Sequence, residues 1–454
     1  MSEKQKKQAL LFLLDLLYVI VIGLFFALVW YRYYAAHLWI EPFFAKGNYV
    51  MVGVYALIYL MMGRLYGAFD HRNARISEVI YSNAVGVVIT HFLMYVLTCF
   101  LMRHLPPVGP ILMLTAGAVA VSIPWAWLCK TYLKHAMPAE KTLLLYDNEN
   151  ARQNGAMIIR KMSWRFQLLA QAEVIDDCAA AIALIDELKP EAIMMCGIHS
   201  SPRNTLLKYC ISRGIPVFVR PNIGDFLVNS ATEMQMANLP VMLCQSANPG
   251  FLYAFVKRFM DIVLGLVGFV IFSPFMLVAA ICIKAYDGGP VLYSQVRLTK
   301  DRKPFKVYKF RSMRVDAEKD GVARLATAND DRITPVGKVI RAIRVDEMPQ
   351  IFCILKGDMS IVGPRPERPS IADDYEKDMP EFALRLQVKA GLTGYAQVYG
   401  KYNTEPYDKL QMDLMYISRL SLVTDLKIIL MTIKILFMPE STEGIAEGKT
   451  TAQK

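Results

Sequence analysis

Residues 259–283 read FMDIVLGLVGFVIFSPFMLVAAICI. This run is apolar for about 25 residues, long enough for a helix to cross a bilayer. Yet Ser273-Pro274 stands at its centre. Proline removes a helical N–H and clashes with the preceding turn. The segment is therefore either a kinked span or a helix that bends back and leaves by the leaflet it entered. The flanks favour the second. Lys257 and Arg258 precede it, while Lys284, Arg297, Lys300, Arg302 and Lys303 follow. Basic residues collect on the cytoplasmic side of membrane segments. Both ends thus read as cytoplasmic, and 259–283 as a re-entrant membrane helix broken at Ser273 and Pro274. Asp261, near its start, reads as a local cap or pair.

Four apolar runs lie upstream, at about 9–30, 49–65, 83–102 and 108–128. The first is too long for a signal-peptide core and lacks a small-residue cleavage site, so it reads as an anchor. Lys4, Lys6 and Lys7, then Arg64, Arg72 and Arg75, then Lys130, Lys134 and Lys141 mark alternate ends as basic. The other loops hold only Arg32, Lys46 and Arg103. Both ends of this four-helix unit then face the cytoplasm. Asp15, inside the first run, reads as structural, paired within the bundle or lying near its interface.

From about 141 to 243 the pattern changes. Short apolar runs at 142–146, 192–196 and 216–219 alternate with amphipathic stretches at 150–161, 178–188 and 202–213. That alternation predicts a small doubly wound α/β domain with parallel strands. The turn after its first strand is Asp147-Asn148-Glu149-Asn150. It has no GxGxxG, and its carboxylates would repel a pyrophosphate. A regulatory or dimerisation module fits better than a dinucleotide site.

Composition agrees with a membrane setting. Hydrophobic residues make up 54% of 454, while 51 Lys+Arg against 40 Asp+Glu give a net charge of +11. A nucleic-acid binder could share the charge but has no need of long apolar runs. The eight cysteines form no CxxC pair and read as reduced structural thiols.

Positive charge is dense from 306 to 368, where it is interleaved with aromatic residues, glycines and prolines. The pattern suits a phosphate-binding floor. Within it, 341–350 reads RAIRVDEMPQ. Adjacent carboxylates on an α-helix diverge by about 100°, so Asp346 and Glu347 take different roles: one attacks or stabilises, the other holds a metal or a proton. Further on, 356–369 reads KGDMSIVGPRPERP, where Gly363-Pro364 and Pro366 hold Arg365 on a stiff loop. A final apolar stretch at 422–438 is interrupted by Lys427 and Lys434, which suits an interfacial helix.

Together these motifs resemble the bacterial sugar transferases, the monotopic phosphoglycosyl transferase superfamily. The broken helix at Ser273-Pro274, KVYKFRSM at 306–313, Val345–Gln350, 356–366 and Gly391-Leu392-Thr393-Gly394 carry the resemblance. The amino-terminal spans and α/β insert look like the large subclass, similar to undecaprenyl-phosphate galactose or glucose phosphotransferases. The resemblance implies that Asp346 is the nucleophile on a UDP-sugar, forming a phosphosugar-aspartate and releasing UMP. Glu347 matches its partner, tied to Mg²⁺ and to activating the polyprenyl phosphate. Arg341 and Arg365 match phosphate-binding positions, Pro364 shapes the loop, and Lys309 and Arg311 match the basic motif. Where the family usually has Arg-Pro-Gly and Gly-Trp-Ala-Gln, this chain has Lys389-Ala390-Gly391 and Gly394-Tyr395-Ala396-Gln397.

The resulting expectation is a membrane protein, α plus α/β, with four parts. These are a four-helix transmembrane unit (1–136), a cytoplasmic, Rossmann-like, non-catalytic α/β domain (137–248), a mainly α monotopic catalytic domain (249–438) and a disordered tail (439–454). Its partners would be a UDP-sugar, undecaprenyl phosphate and membrane lipids, with room for a homodimer and no nucleic acid. It would sit in the bacterial inner membrane, catalytic domain on the cytoplasmic face, at the first membrane step of exopolysaccharide, capsule or O-antigen synthesis. The rival from another class is a catalytically silent scaffold of a polysaccharide assembly complex. A nucleotide-sugar dehydratase or epimerase would need a glycine-rich turn and a Tyr-xxx-Lys pair, and neither stands out.

Overall fold

The computed structural model describes residues 3–38, 45–175, 177–247, 249–315, 332–400 and 405–436. The tail expected at 439–454 lies outside them. The chain divides into two compact units, Met1–Pro221 and Asn222–Lys454, and is mostly helical, with a four-stranded parallel sheet and smaller two-stranded pairings among the described residues.

In the first unit, helices α1 (Glu3–Val29), α2 (Ala45–Tyr66), α3 (Ile76–Met102) and α4 (Gly109–Ala136) form a bundle. Each packs on the next, and α4 returns to α1. Their outward positions are apolar, with Phe12, Leu24, Leu28, Phe92, Phe100 and Met113 all exposed. Inside sit Tyr18, Phe26, Trp30, Tyr55, Tyr59 and Trp125. The polar tips of these aromatics find partners within the bundle, as burial away from water requires. Trp30 Nε1 donates to Asn48 Oδ1 at 2.7 Å. Tyr55 Oη lies 3.0 Å from His91 Nε2, whose Nδ1 lies 2.7 Å from Thr115 Oγ1. Asp15 is 2.8 Å from His71 Nε2, the internal pairing open to it from sequence.

The α/β part of this unit runs β1 (Glu140–Tyr146), α5 (Glu149–Lys161), β2 (Phe166–Glu173), α6 (Ala179–Leu188), β3 (Ala192–Cys196), α7 (Ser200–Ser212) and β4 (Val217–Arg220). The four strands are parallel in the order β2-β1-β3-β4. Successive residues of β1 point to opposite faces. Leu143 and Leu145 join Ile185, Ile193 and Leu206, while Leu144 joins Ile159, Phe166 and Met194. Each such burial contributes about 1.5–3 kcal/mol. The edge strand β2, FQLLAQAE, was not anticipated, because its mostly solvated face breaks the apolar run. At the turn after β1, Asn148 Oδ1 caps α5 by accepting from Ala151 N–H at 2.9 Å. Asp147 packs against Gly197, where a Cβ would lie 2.1 Å from its Oδ1. A carboxylate thus fills the crevice at the strand-order reversal, where a dinucleotide would be held.

The second unit begins with α8 (Ile223–Asn229) and the hairpin β5 (Thr232–Met236) and β6 (Leu239–Leu243). Then comes α9 (Phe251–Asp287), a 37-residue helix that continues through Pro274. Pro274 has no N–H for the carbonyl of Val270, and Ser273 Oγ donates to that oxygen at 2.9 Å. With α9 there are five helices long and apolar enough to cross a membrane among the described residues. Beyond α9 lie β7 (Leu292–Leu298), β8 (Pro304–Phe310), α10 (Pro335–Ala342), a 3₁₀ segment (Val345–Gln350), α11 (Ile351–Lys356) and β9 (Ser360–Val362). The chain closes with α12 (Pro369–Asp378), a second 3₁₀ segment (Pro380–Gln387), β10 (Gly391–Thr393), α13 (Tyr395–Tyr399), α14 (Pro406–Ile417) and α15 (Leu422–Leu436). One core gathers Met276, Ala279 and Ile283 of α9 with Phe310, Ile340 and Val345. A second joins Phe305 and Val307 to Cys353, Ile354 and Met359. On α15, Asp425 is buried and accepts from Lys257 Nζ and Tyr253 Oη, both at 2.9 Å.

Candidate active site

The carboxylate pair stands where α10 hands over to the 3₁₀ segment. Thr334 Oγ1 caps α10 by accepting from Gly337 N–H at 2.9 Å, and Pro335 begins its first turn. Gly337 lets α10 lie against the preceding strand end, since a Cβ there would be 1.9 Å from Ser312 O. Arg344 then takes a left-handed conformation, φ 55°, and the chain tightens into Val345–Gln350. Because this turn is 3₁₀ rather than α, neighbours diverge by about 120° instead of 100°. Val345, Pro349 and Gln350 are buried, while Asp346 and Glu347 are half-buried at the rim.

Two cations from elsewhere in the unit meet at Glu347. Lys309 Nζ of β8 lies 2.6 Å from Oε1, and Arg365 Nη2 lies 3.0 Å from the same oxygen. Burial pushes the Glu347 carboxyl up, but Arg365 and Lys309 outweigh it and hold the group well below the usual carboxylate range. Asp346 moves the other way. Burial raises it first and the Glu347 charge raises it further, against opposition from Lys309, Arg341 and Arg344. Adjacent carboxylates driven apart in this way are suited to separate roles. Glu347 is a fixed anion, and Asp346 is the more basic oxygen donor of the two.

The loop that carries Arg365 is held by its backbone. Gly363, Gly391 and Gly394 cross so closely that a Cβ on Gly363 would lie 2.2 Å from Lys389 O. Gly391 N–H donates to Pro364 O at 2.9 Å. The structure thus brings together Asp346, Glu347, Lys309 and Arg365, with Pro364 shaping the loop and the Arg341 charge beside Asp346. It does not bring Arg311 there. That side chain is buried and forks onto Asp287, while its Nε donates to Pro290 O at 2.7 Å. Arg344 and Arg385, which also bear on the site, had only their position in a basic stretch or no sequence signal at all.

Comparison with known proteins follows the same residues. The bacterial sugar transferase family model matches residues 252–439. A UDP-N-acetylgalactosamine-undecaprenyl-phosphate N-acetylgalactosaminephosphotransferase of Aeromonas hydrophila is 39% identical over 231 residues, 50% of this chain and 54% of that protein. A UDP-glucose:undecaprenyl-phosphate glucose-1-phosphate transferase of Klebsiella pneumoniae is 39% identical over 219 residues, 47% of each. An exopolysaccharide production protein of Rhizobium leguminosarum is 39% identical over 189 residues, 39% of this chain and 93% of that protein. The chain belongs to the bacterial sugar transferase family. It spans about half the length of the Aeromonas and Klebsiella relatives.

Proposed function

We propose that this chain transfers a sugar-1-phosphate from a UDP-sugar to undecaprenyl phosphate, as the first membrane step in building an exopolysaccharide, capsule or O-antigen. One observation carries the reading: Lys309 and Arg365 converge on Glu347 directly beside the more basic Asp346. In the first half-reaction an Asp346 oxygen attacks the β-phosphorus, the bond to the bridging oxygen breaks, and UMP leaves with that electron pair. A phosphosugar-aspartate remains. In the second, an undecaprenyl phosphate oxygen attacks the same phosphorus and Asp346 leaves as carboxylate, giving undecaprenyl-diphosphate-sugar. Anion attacks anion in both steps, so a fixed cationic surround is what the chemistry needs. Arg341 and Arg365 would hold phosphate oxygens, and Lys309 keeps Glu347 ionised.

The donor set fits Mg²⁺. Both cations bind Glu347 at Oε1, so its other oxygen would hold the ion, with Asp346 and the substrate diphosphate offering further oxygens. Bound there, Mg²⁺ would neutralise phosphate charge.

The membrane arrangement belongs to the same reading. We place α1–α4 across the bacterial inner membrane, the α/β part and the catalytic domain on its cytoplasmic face, and α9 as re-entrant. The basic residues at both ends of α9 support that reading, and the Ser273–Val270 bond satisfies the carbonyl that Pro274 leaves without a donor. The deciding experiment is UMP release by the purified chain from a panel of UDP-sugars, with undecaprenyl phosphate as acceptor. Activity that disappears in Asp346→Asn supports the reading. Absence of UMP with every donor, or full activity in that variant, overturns it.

A further inference from the structure

Four consecutive carbonyls in the loop after Gly363 each accept a hydrogen bond. Pro364 O takes Gly391 N–H at 2.9 Å, and Glu367 O takes Leu298 N–H at 3.0 Å. Between them, Arg365 O takes Arg385 Nη2 at 2.9 Å and Pro366 O takes Arg297 Nη1 at 3.1 Å. The two middle bonds come from arginines. Pro364 and Pro366 bring no N–H of their own, so pinned carbonyls are what fixes the backbone of this stretch.

Arg385 sits in a buried ionic arrangement with no contact to Asp346 or Glu347. Its side chain is 4% exposed, and its Nη2 lies 2.7 Å from Oδ2 of Asp413, itself 1% exposed. The same Nη2 donates to Arg365 O, so one nitrogen faces both the buried carboxylate and the loop carbonyl. Arg385 Nη1 lies 3.7 Å from Glu367 Oε1, and Arg297 Nη1 lies 3.7 Å from Glu367 Oε2. The Arg385 guanidinium also lies over the Phe382 ring, 4.8 Å from its centroid. One planar fork therefore faces a carboxylate on α14, a carboxylate in the loop and the carbonyl of Arg365 itself.

Such burial is costly for the fold. Burial pushes the Asp413 carboxyl up to about 6, against the opposing Arg385 charge. Holding it ionised at neutral pH therefore works against stability. Burial also lowers nearby Lys409 and Arg297. An apolar plug would fill this space at lower cost but could not donate to Arg365 O.

We propose that Arg385, oriented by Asp413 on α14, is a positioning residue. It fixes the backbone of Arg365 so that its guanidinium reaches Glu347 and the substrate diphosphate. The role rests on the function proposed above, through the use it assigns to Arg365. It adds that the shape of the anion clamp is set from a helix remote from the carboxylates.

Arg385→Lys tests it in the full chain. Lysine keeps the charge against Asp413 but has no planar fork to serve the carbonyl as well. UMP release from UDP-glucose and UDP-N-acetylgalactosamine should show KM raised about tenfold with kcat changed less, and UDP should bind about tenfold more weakly. The decisive measurement is the cycle with Arg365→Ala. In that background Arg385→Lys should change neither KM nor UDP affinity further. Asp413→Asn, which keeps shape and removes charge, should behave likewise while its thermal transition stays within a few degrees of wild type. Multiplicative losses in the cycle, or an unchanged KM in Arg385→Lys, would overturn the positioning role. So would a loss confined to thermal stability and the active fraction. Failure of the wild type to release UMP overturns the functional reading instead, and the cycle is then judged on UDP affinity alone.

Discussion

Arg365 Nη2 lies 3.0 Å from Glu347 Oε1, across eighteen positions of chain that include a 3₁₀ turn, a short helix and a strand. The contact joins two motifs that are separate in sequence, and with Lys309 it turns Glu347 into a fixed anion. The roles of the two adjacent carboxylates follow from that asymmetry.

Asp346→Asn should lower turnover by at least about a thousandfold and remove covalent labelling by a radiolabelled UDP-sugar, because an amide is a poor nucleophile. The protein should still fold, since Asp346 lies at the rim while Val345 and Pro349 supply the buried contacts. Retained labelling would remove Asp346 from the mechanism.

The pH profile of kcat/KM carries a sign. Asp346 attacks as the carboxylate, and burial and the Glu347 charge raise its pKa above the ordinary value. The rate therefore falls as pH drops through that raised pKa. Arg341→Gln removes an opposing cation and should move the acid limb to higher pH. Glu347→Gln removes the like charge and should move it to lower pH, with activity severely reduced and the Mg²⁺ dependence disturbed. Shifts of the reverse sign would contradict the electrostatic assignment.

Lys309→Met should reduce kcat/KM by about a hundredfold, the usual scale for removing one preorganised charge from a polar site. Arg311→Met should act differently, because Arg311 ties Asp287 at the end of α9 to β8. The expected result is a lower thermal transition with much less change in KM.

Topology is open to thiol labelling. Native Cys244, retained in a chain otherwise free of cysteine, and a Lys303→Cys probe bracket α9, and both positions are exposed. For a re-entrant α9 both should resist a membrane-impermeant reagent in intact cells and react after lysis. Labelling of the Lys303 site alone in intact cells would mean that α9 spans. Replacing Ser273-Pro274 with Leu-Leu should straighten the helix and abolish activity without touching the carboxylates.

Truncation tests the units. Residues 222–454 should retain UMP release in detergent or lipid. A shorter piece beginning at 249 loses α8, which packs on α14 and carries the buried Phe226. The shorter piece should be less stable by about 2 kcal/mol, the value of one buried aromatic, and its thermal transition should fall accordingly. Equal stability would show that α8 is dispensable.

Periodicity and charge in the sequence determined a good deal. Long apolar runs specify helices wherever they fall, and the alternation after residue 141 specifies parallel strands with covering helices, because both signals are local. Edge strand β2 escaped, since a half-solvated strand lacks the continuous apolar run that marks its neighbours. Hairpin β5–β6, whose side chains are almost all exposed, escaped for the same reason. In the site, VDEMPQ and GPRPERP were legible because proline and glycine restrict the backbone within a few residues.

Tertiary structure alone decided which charges meet. Lys309, on β8, and Arg311, just past its end, are two residues apart, yet one reaches Glu347 and the other Asp287. Spacing makes both basic and cannot assign either partner. Arg385 and Asp413 stand 28 positions apart, and each reads singly as an ordinary surface charge. They become a buried pair only when the loop, the second 3₁₀ segment and α14 close around them. A local pattern fixes a backbone, because its energetics depend on neighbours in sequence. The partner of a charge and the solvent around it are set by distance and burial, which exist only once the chain has folded.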